Sequence, residues 1–229
     1  MTDPALIRKI CDYASLGGKE SVLEIGAGTG NLTAELAGRA GRVYAIEKDP
    51  RLFSVLEGRL KGALNVELIC GDALRMHLPE TDLWVSNMPY SISRKAVERM
   101  LSVNYHRGVI VFQREFAEKL VARPGSDSYR FISAYAQSCA EIEVLDTIPP
   151  EAFSPRPRVY SSIVRFRQSL LPEKEYVRFL RTLFTQKNKT LGKVLRTSVP
   201  SDYAKKRAGR LTPEELRRLY LIILGVIKE

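Results

Sequence analysis

Histidine and cysteine are scarce in this 229-residue chain, and their scarcity removes several chemistries. The two histidines, His77 and His106, have no ligand-spaced partner. The three cysteines, Cys11, Cys70 and Cys139, make no CxxC pair and leave an odd count. A zinc centre and a disulfide framework are therefore not expected, and no metal is proposed. Reduced, structural cysteines fit better. Met1-Thr2-Asp3-Pro4 lacks a basic region followed by an apolar one, and the longest late apolar stretch, Leu219 to Ile227, is too short to span a bilayer. The expectation is a soluble, cytoplasmic protein without internal repeats.

Acidic residues are in short supply in only one part of the chain. Residues 1–165 carry 21 basic and 20 acidic side chains, whereas residues 166–229 carry 15 and 6, a net of +9 within the overall +10. A polyanion is the natural partner of such a tail, since each phosphate neutralised by Lys or Arg releases condensed counterions. A solvated helical surface is the plainer account of the same charge.

Apolar residues at helical spacing (Leu6, Ile7, Ile10, Cys11, Ala14) predict a first helix over 4–16, stopped by Gly17-Gly18. Strands are then expected at 21–25, 42–47, 65–70, 82–87 and 107–113, with helices near 30–39, 50–61 and 92–103. Such βα alternation implies an α/β fold with a parallel sheet covered on both faces. Residues 141–148 and 161–166 read as an antiparallel closing hairpin. From Pro172 onward the pattern is helical, near 173–186, 189–197 and 213–227, the last opened by Thr212-Pro213-Glu214-Glu215. Two domains follow: residues 1–168, and a small basic helical domain at 169–229.

The stretch Asn87-Met88-Pro89-Tyr90 directly follows the apolar run Leu83-Trp84-Val85, at the edge where an open parallel sheet binds ligands. An amide oxygen and a main-chain carbonyl at Pro89 can accept both hydrogens of a planar exocyclic amine, while the Tyr90 ring stacks on the base carrying it. Methylation of a nucleobase amino group is the chemistry this suggests. A polar turn after a strand is the structural alternative. Upstream, Glu24-Ile25-Gly26-Ala27-Gly28-Thr29-Gly30 gives a glycine turn through which a ligand can approach the backbone. Its glycines fall as GxGxG, with Asn31 where a dinucleotide fingerprint wants glycine or alanine. Glu47, 21 residues after Gly26, is placed to take both hydroxyls of an adenosine ribose, and Asp72 to accept from an adenine amino group.

These residues resemble the Rossmann-like S-adenosylmethionine-dependent methyltransferases. More narrowly, the chain is similar to the small-subunit rRNA adenine N6,N6-dimethyltransferase family, of the archaeal type. The likeness covers nearly the whole chain and includes Val22 to Gly30, Ile46-Glu47, Gly71-Asp72-Ala73 and Asn87 to Tyr90. It extends to Gln113 to Ala117, to Leu120 to Ser126, and to Phe153-Ser154-Pro155-Arg156-Pro157-Arg158-Val159. The resemblance implies that Glu24, Gly26, Gly28, Glu47, Asp72, Ala73 and Asn87 bind S-adenosylmethionine. It also implies that Asn87, Pro89 and Tyr90 hold the target adenine, with Phe153 stacking on its other face. An aromatic that closes a proline loop onto the core is the other reading of Phe153.

The expected partners are small-subunit rRNA and a ribosomal subunit precursor, the expected reaction is dimethylation of two adjacent adenosines near the 3′ end, and the expected state is a monomer. Three features depart from the family pattern. Met1 falls near the end of the basic arm that the family usually has ahead of the first helix, Met88 replaces a leucine, and Tyr160 stands where an acid is usual. Within enzymes the alternative is a large-subunit rRNA adenine methyltransferase of the erythromycin-resistance type. Outside them it is a non-methylating RNA-binding ribosome-assembly factor.

Overall fold

The computed structural model describes residues 1–195 and 199–227. Two compact units make up the chain, the first from Met1–Ala117 with Ile142–Gln168, the second from Glu118–Glu141 with Ser169–Glu229. In the first unit, strands β1 (Ser21–Ile25), β2 (Arg42–Glu47), β3 (Val66–Cys70), β4 (Leu83–Asn87), β5 (Arg107–Gln113), β6 (Ala140–Ile148) and β7 (Ser161–Gln168) form one sheet in the order β3-β2-β1-β4-β5-β7-β6. The first five run parallel and β7 runs antiparallel to β5. Helices α1 (Pro4–Ala14), α2 (Asn31–Ala37), α3 (Pro50–Arg59) and α4 (Ser93–Met100) supply the packing layers.

Near-continuous apolar runs explain the buried strands. Val22, Val43, Val85, Val109, Val111 and Ile163 have no exposed surface, as befits a sheet covered on both faces. The expected helical stripe on α1 is the buried one, Leu6, Ile7, Ile10, Cys11 and Ala14, and Asp3 caps it by accepting from the Ala5 and Leu6 N–H groups. Register brings the strand ends to a common edge: Glu47 lies opposite Cys70 and Asn87 opposite Val111. The order of strands reverses direction between β1 and β4. Their ladder covers only Val22–Leu83 and Leu23–Trp84, after which they diverge. The freed Ile25 N–H is satisfied at 2.9 Å by the buried Ser86 hydroxyl.

The second unit is helical, with α6 (Phe131–Cys139), α7 (Lys174–Thr185), α8 (Leu191–Val194), α9 (Ser201–Ala204) and α10 (Pro213–Ile223). The chain enters it within α5 (Arg114–Leu120), returns to the sheet unit after residue 141 and enters it again after residue 168. The boundary at 168 read from composition is thus one of three crossings. Residues 118–141 join the basic tail because the apolar faces of α7 (Tyr176, Leu180, Leu183, Phe184) and α10 (Leu216, Leu219, Tyr220) need a third element to close a core. Helix α6 packs on both. Tyr176 and Tyr220 meet with ring centroids 5.1 Å apart, and the Tyr129 hydroxyl donates to the Leu211 carbonyl at 3.1 Å.

Differences from the expected helices are local. Instead of spanning 189–197, α8 covers four residues, and residues 196–197 of that expectation lie outside the described ones. Helix α10 stops at Ile223 instead of 227, because the chain turns through Gly225 with φ of 70°.

Candidate active site

The carboxyl ends of β1 to β4 surround a cleft of about 980 Å³. Gly26, Glu47, Asp72, Ala73 and Pro89 line it, so residues predicted from four separate strand ends are brought together. Its rim carries Lys48, Arg51, Arg75 and Lys95.

Gly26 sets the floor. Its φ is +75°, and a Cβ built there would lie 2.7 Å from Cγ of Pro89. Any side chain would therefore collide with the proline of the neighbouring strand end, which ties the glycine turn to the Asn87–Tyr90 segment sterically. The N–H groups of Gly26 and Ala27 both donate to the Ile46 carbonyl, at 2.8 and 3.1 Å.

Glu47 is buried, and its carboxylate accepts three backbone N–H groups. Oε2 takes Gly28 at 2.8 Å, while Oε1 takes Lys48 and Asp49, each at 2.8 Å. A carboxylate offers roughly four lone-pair sites. Room is left for about one further donor alongside these three bonds. Asp72 is engaged too. One oxygen accepts from the Leu74 N–H at 3.0 Å and the other faces the Lys48 ammonium at 3.0 Å. Lys48 first, then the Leu74 N–H, hold its carboxyl below the usual range, so it is an anionic acceptor at neutral pH.

Glu24, on the strand before the turn, is only 2 % exposed and does not line the cleft; one of its oxygens has no hydrogen-bond partner. Burial pushes its carboxyl up to about 8, the Thr33 hydroxyl opposing that rise and the Glu47 charge adding to it. At neutral pH Glu24 is largely a neutral acid.

Asn87 ends β4, half-buried, and its Oδ1 is buried without a hydrogen-bond partner. A buried amide oxygen left open costs about 1–3 kcal/mol, which a ligand donor would recover. Beside it the Pro89 carbonyl accepts from the Ile92 N–H at 3.1 Å and keeps one lone pair. Tyr90 opens a single 3-10 turn, Tyr90–Ile92, with its ring half-exposed. Met88 is buried, and its N–H donates to the Val111 carbonyl at 3.1 Å.

Phe153, the residue expected to stack on the adenine's other face, does not line the cleft. It is 8 % exposed and belongs to the core cluster with Leu6, Ile7, Val111 and Ile163, the loop-closing alternative weighed for it. A 3-10 turn at Pro150–Ala152 leads into it, and its N–H donates to the Pro150 carbonyl at 3.3 Å.

Two residues of this region escaped the sequence reading. Ser86 and Ser161 are both fully buried hydroxyls, and a serine in an apolar strand carries no signal until its partner is known. Among the described residues no group of three or more His, Cys, Asp or Glu side chains is arranged to hold a metal ion. The cysteines are free: Cys11 and Cys139 are buried, which pushes each thiol up to about 12, and Cys70 is exposed. Among the same residues no helix is long and apolar enough to cross a membrane.

A Rossmann-like sheet with a glycine turn, anionic strand ends and an open amide acceptor at its switch point defines the S-adenosylmethionine-dependent methyltransferase class. The family within that class is given by comparison: residues 1–215 match the ribosomal RNA adenine dimethylase family, and the chain belongs to it. A probable ribosomal RNA small subunit methyltransferase A of Methanosarcina mazei is 37% identical over 94% of this chain and 87% of its own length. One of Thermococcus onnurineus is 36% identical over 97% and 89%. Among solved structures, a dimethyladenosine transferase from Plasmodium falciparum superposes with a TM-score of 0.87 at 27% identity, covering 97% of this chain and 96% of that one. The 23S rRNA methyltransferase ErmE gives 0.75 at 28% identity, covering 97% and 98%.

Proposed function

We propose that this chain transfers methyl groups from S-adenosylmethionine to N6 of adenine in small-subunit rRNA, dimethylating two adjacent adenosines near the 3′ end, in the cytoplasm and as a monomer acting on a ribosomal subunit precursor. The observation that carries the reading is the unpartnered, buried Asn87 Oδ1, set beside a proline that is itself wedged against Gly26. An acceptor held open in a buried edge is matched by a donor, and an exocyclic amine has two.

The residues fit the cofactor. Glu47 Oε2 has room for a ribose hydroxyl, Asp72 is an anionic acceptor for an adenine amine, Gly26 and Ala73 line the cleft, and Gly28 gives its N–H to Glu47. Glu24 lies behind this wall as a support. When bound, the cofactor supplies a methyl already activated on a sulfonium. The protein's task is then placement. Asn87 and the Pro89 carbonyl accept from the two amine hydrogens, which favours a pyramidal nitrogen and stabilises the positive charge that develops on it. Tyr90 covers one face of the base, and Phe153 closes the slot from the core side.

Docking of the RNA is assigned to the basic helical unit. Residues 169–229 hold 14 Lys and Arg against 6 Asp and Glu. The Thr190–Arg207 bridge and the Leu191 N–H bond to the Lys206 carbonyl bring Lys189 and Lys193 beside Lys205, Lys206 and Arg207. The likeness to ErmE supports the large-subunit reading as the second one. Transfer of labelled methyl to unmodified small and large subunits, with the nucleosides identified, decides between them. Dimethyladenosine in small subunits alone is expected, and label confined to large subunits overturns the proposal.

A further inference from the structure

Tyr90 and Ser161 lie 71 residues apart in sequence, yet their hydroxyls are 2.6 Å apart. Ser161 is the first residue of β7, pairs with Gln113 at the end of β5, and has no exposed surface. Tyr90, by contrast, is half-exposed on a single 3-10 turn. Left alone, such a side chain exchanges between χ1 rotamers that carry the ring to different places. The phenol oxygen lies on the χ2 axis, so anchoring it to a fully buried hydroxyl at the start of β7 selects one χ1 rotamer and fixes where the ring sits.

We propose that Ser161 is a positioning residue for methyl transfer: its buried hydroxyl holds the Tyr90 ring at the place where the target base stacks. The inference rests on the reading of Tyr90 as the stacking ring. A stacking face gains from being set before the substrate arrives, because the ordering cost is then met in folding and not in base capture. The neighbouring chain is fixed as well. The Arg114 N–H donates to the Tyr160 carbonyl at 2.9 Å and the Arg114 guanidinium lies 5.6 Å from the Tyr160 ring centroid, so the residue just before Ser161 is tied to the end of β5. Ser161 thus couples the acceptor segment after β4 to the strand that follows the proline loop.

The test is a cycle of Tyr90→Phe, Ser161→Ala and their double variant in the full chain, read as single-turnover methyl transfer at saturating RNA and S-adenosylmethionine. Each single change should slow transfer about three- to tenfold, the range of one lost hydrogen bond. The double variant should be no slower than either single, because both remove the same contact. Calorimetric affinity for S-adenosylmethionine should stay unchanged, and Ser161→Thr, which keeps the hydroxyl, should restore the rate. Additive losses in the double variant, or a Ser161→Ala protein that loses cofactor affinity in proportion to rate, would overturn the assignment. Tyr90→Ala separates the two layers. If it is slow while Tyr90→Phe and Ser161→Ala are as fast as the wild type, Ser161 has no positioning role; if it too is as fast, the stacking role of Tyr90 falls and Ser161 with it.

Discussion

The sheet unit and the helical unit handle polar groups in opposite ways. In the sheet unit the carboxylates of the candidate site lean on main-chain donors: the buried Glu47 accepts from three N–H groups, and the half-buried Asp72 from one beside its pair with Lys48. In the helical unit charge sits at the surface and pairs side chain to side chain, as in Arg217 with Glu173 or Lys206 with Glu215. Backbone anchoring gives geometry that survives thermal motion, which chemistry at one atom needs. Exposed charge gives a graded, salt-screened attraction that tolerates variation in a polymer backbone. Substitutions in the first unit should therefore remove single steps, and those in the second should tilt a slope.

Glu24 is the place where the comparison is most severely tested, because it is buried in the anchored unit without full anchoring. Its folded pKa, about 8, lies above the ordinary 4.5, so between those values the folded chain binds the proton more tightly than the unfolded one. Stability conferred by the neutral acid is complete below about pH 4.5 and is lost as pH rises toward 8. Glu24→Gln cannot ionise. It should match the wild type at pH 4 and exceed it by up to about 5 kcal/mol at pH 8.5, since each pH unit between the unfolded and folded pKa values is worth about 1.36 kcal/mol. Urea unfolding at both pH values measures this, and parallel pH profiles for the two proteins would show that Glu24 is ionised in the fold.

Next in size is Asn87→Ala. Loss of one acceptor aimed at developing charge should slow single-turnover transfer about a hundred- to a thousandfold at saturating cofactor, by the scale of a lost oxyanion-hole donor. A near-normal rate in a folded variant leaves the segment as a structural turn. Glu47→Ala should weaken S-adenosylmethionine binding by about 1.5 to 3 kcal/mol, one to two decades in affinity. Because Glu47 also holds Gly28, part of that loss is loop order. Glu47→Gln should do no better, since its NH₂ would face N–H groups. Calorimetric affinity equal to the wild type in either variant removes Glu47 from the site.

The strand ends were legible because their signals are local. An apolar run followed by Asn-Met-Pro-Tyr or Gly-Ala-Gly-Thr-Gly states both the strand and what its end presents, and register then brings those ends to one edge. Side-chain destinations set by tertiary contact were not legible. Phe153 packs with Leu6, Ile7, Val111 and Ile163 from distant parts of the chain, Glu47 spends most of its acceptor capacity on the loop, and Ser161 finds a partner 71 positions away. Helix α6 escaped for a different reason: Phe131 to Ala136 are all buried, so no polar face marks its period. Charge, read as a sum, located the basic tail but not residues 118–141, which carry three basic and three acidic side chains and join it only through packing.

The smallest expected effect belongs to the helical unit. Lys187 is half-buried, while Lys189 and Lys193 are exposed on the segment bridged to Arg207. If these ammonium groups neutralise phosphates, replacing all three by alanine removes three phosphate contacts. The slope of log affinity for RNA against log salt should then flatten by about 2, at roughly 0.7 per phosphate on a single strand. At low salt the loss of affinity should be clear and at high salt slight, since screening has already removed most of the attraction. Affinity for S-adenosylmethionine should not move, because none of the three lines the cleft at the strand ends. An unaltered slope moves the RNA contacts to other cations. A changed cofactor affinity does something more: it breaks the division of labour between the units, because exposed charge would then be acting on the geometry of an anchored site.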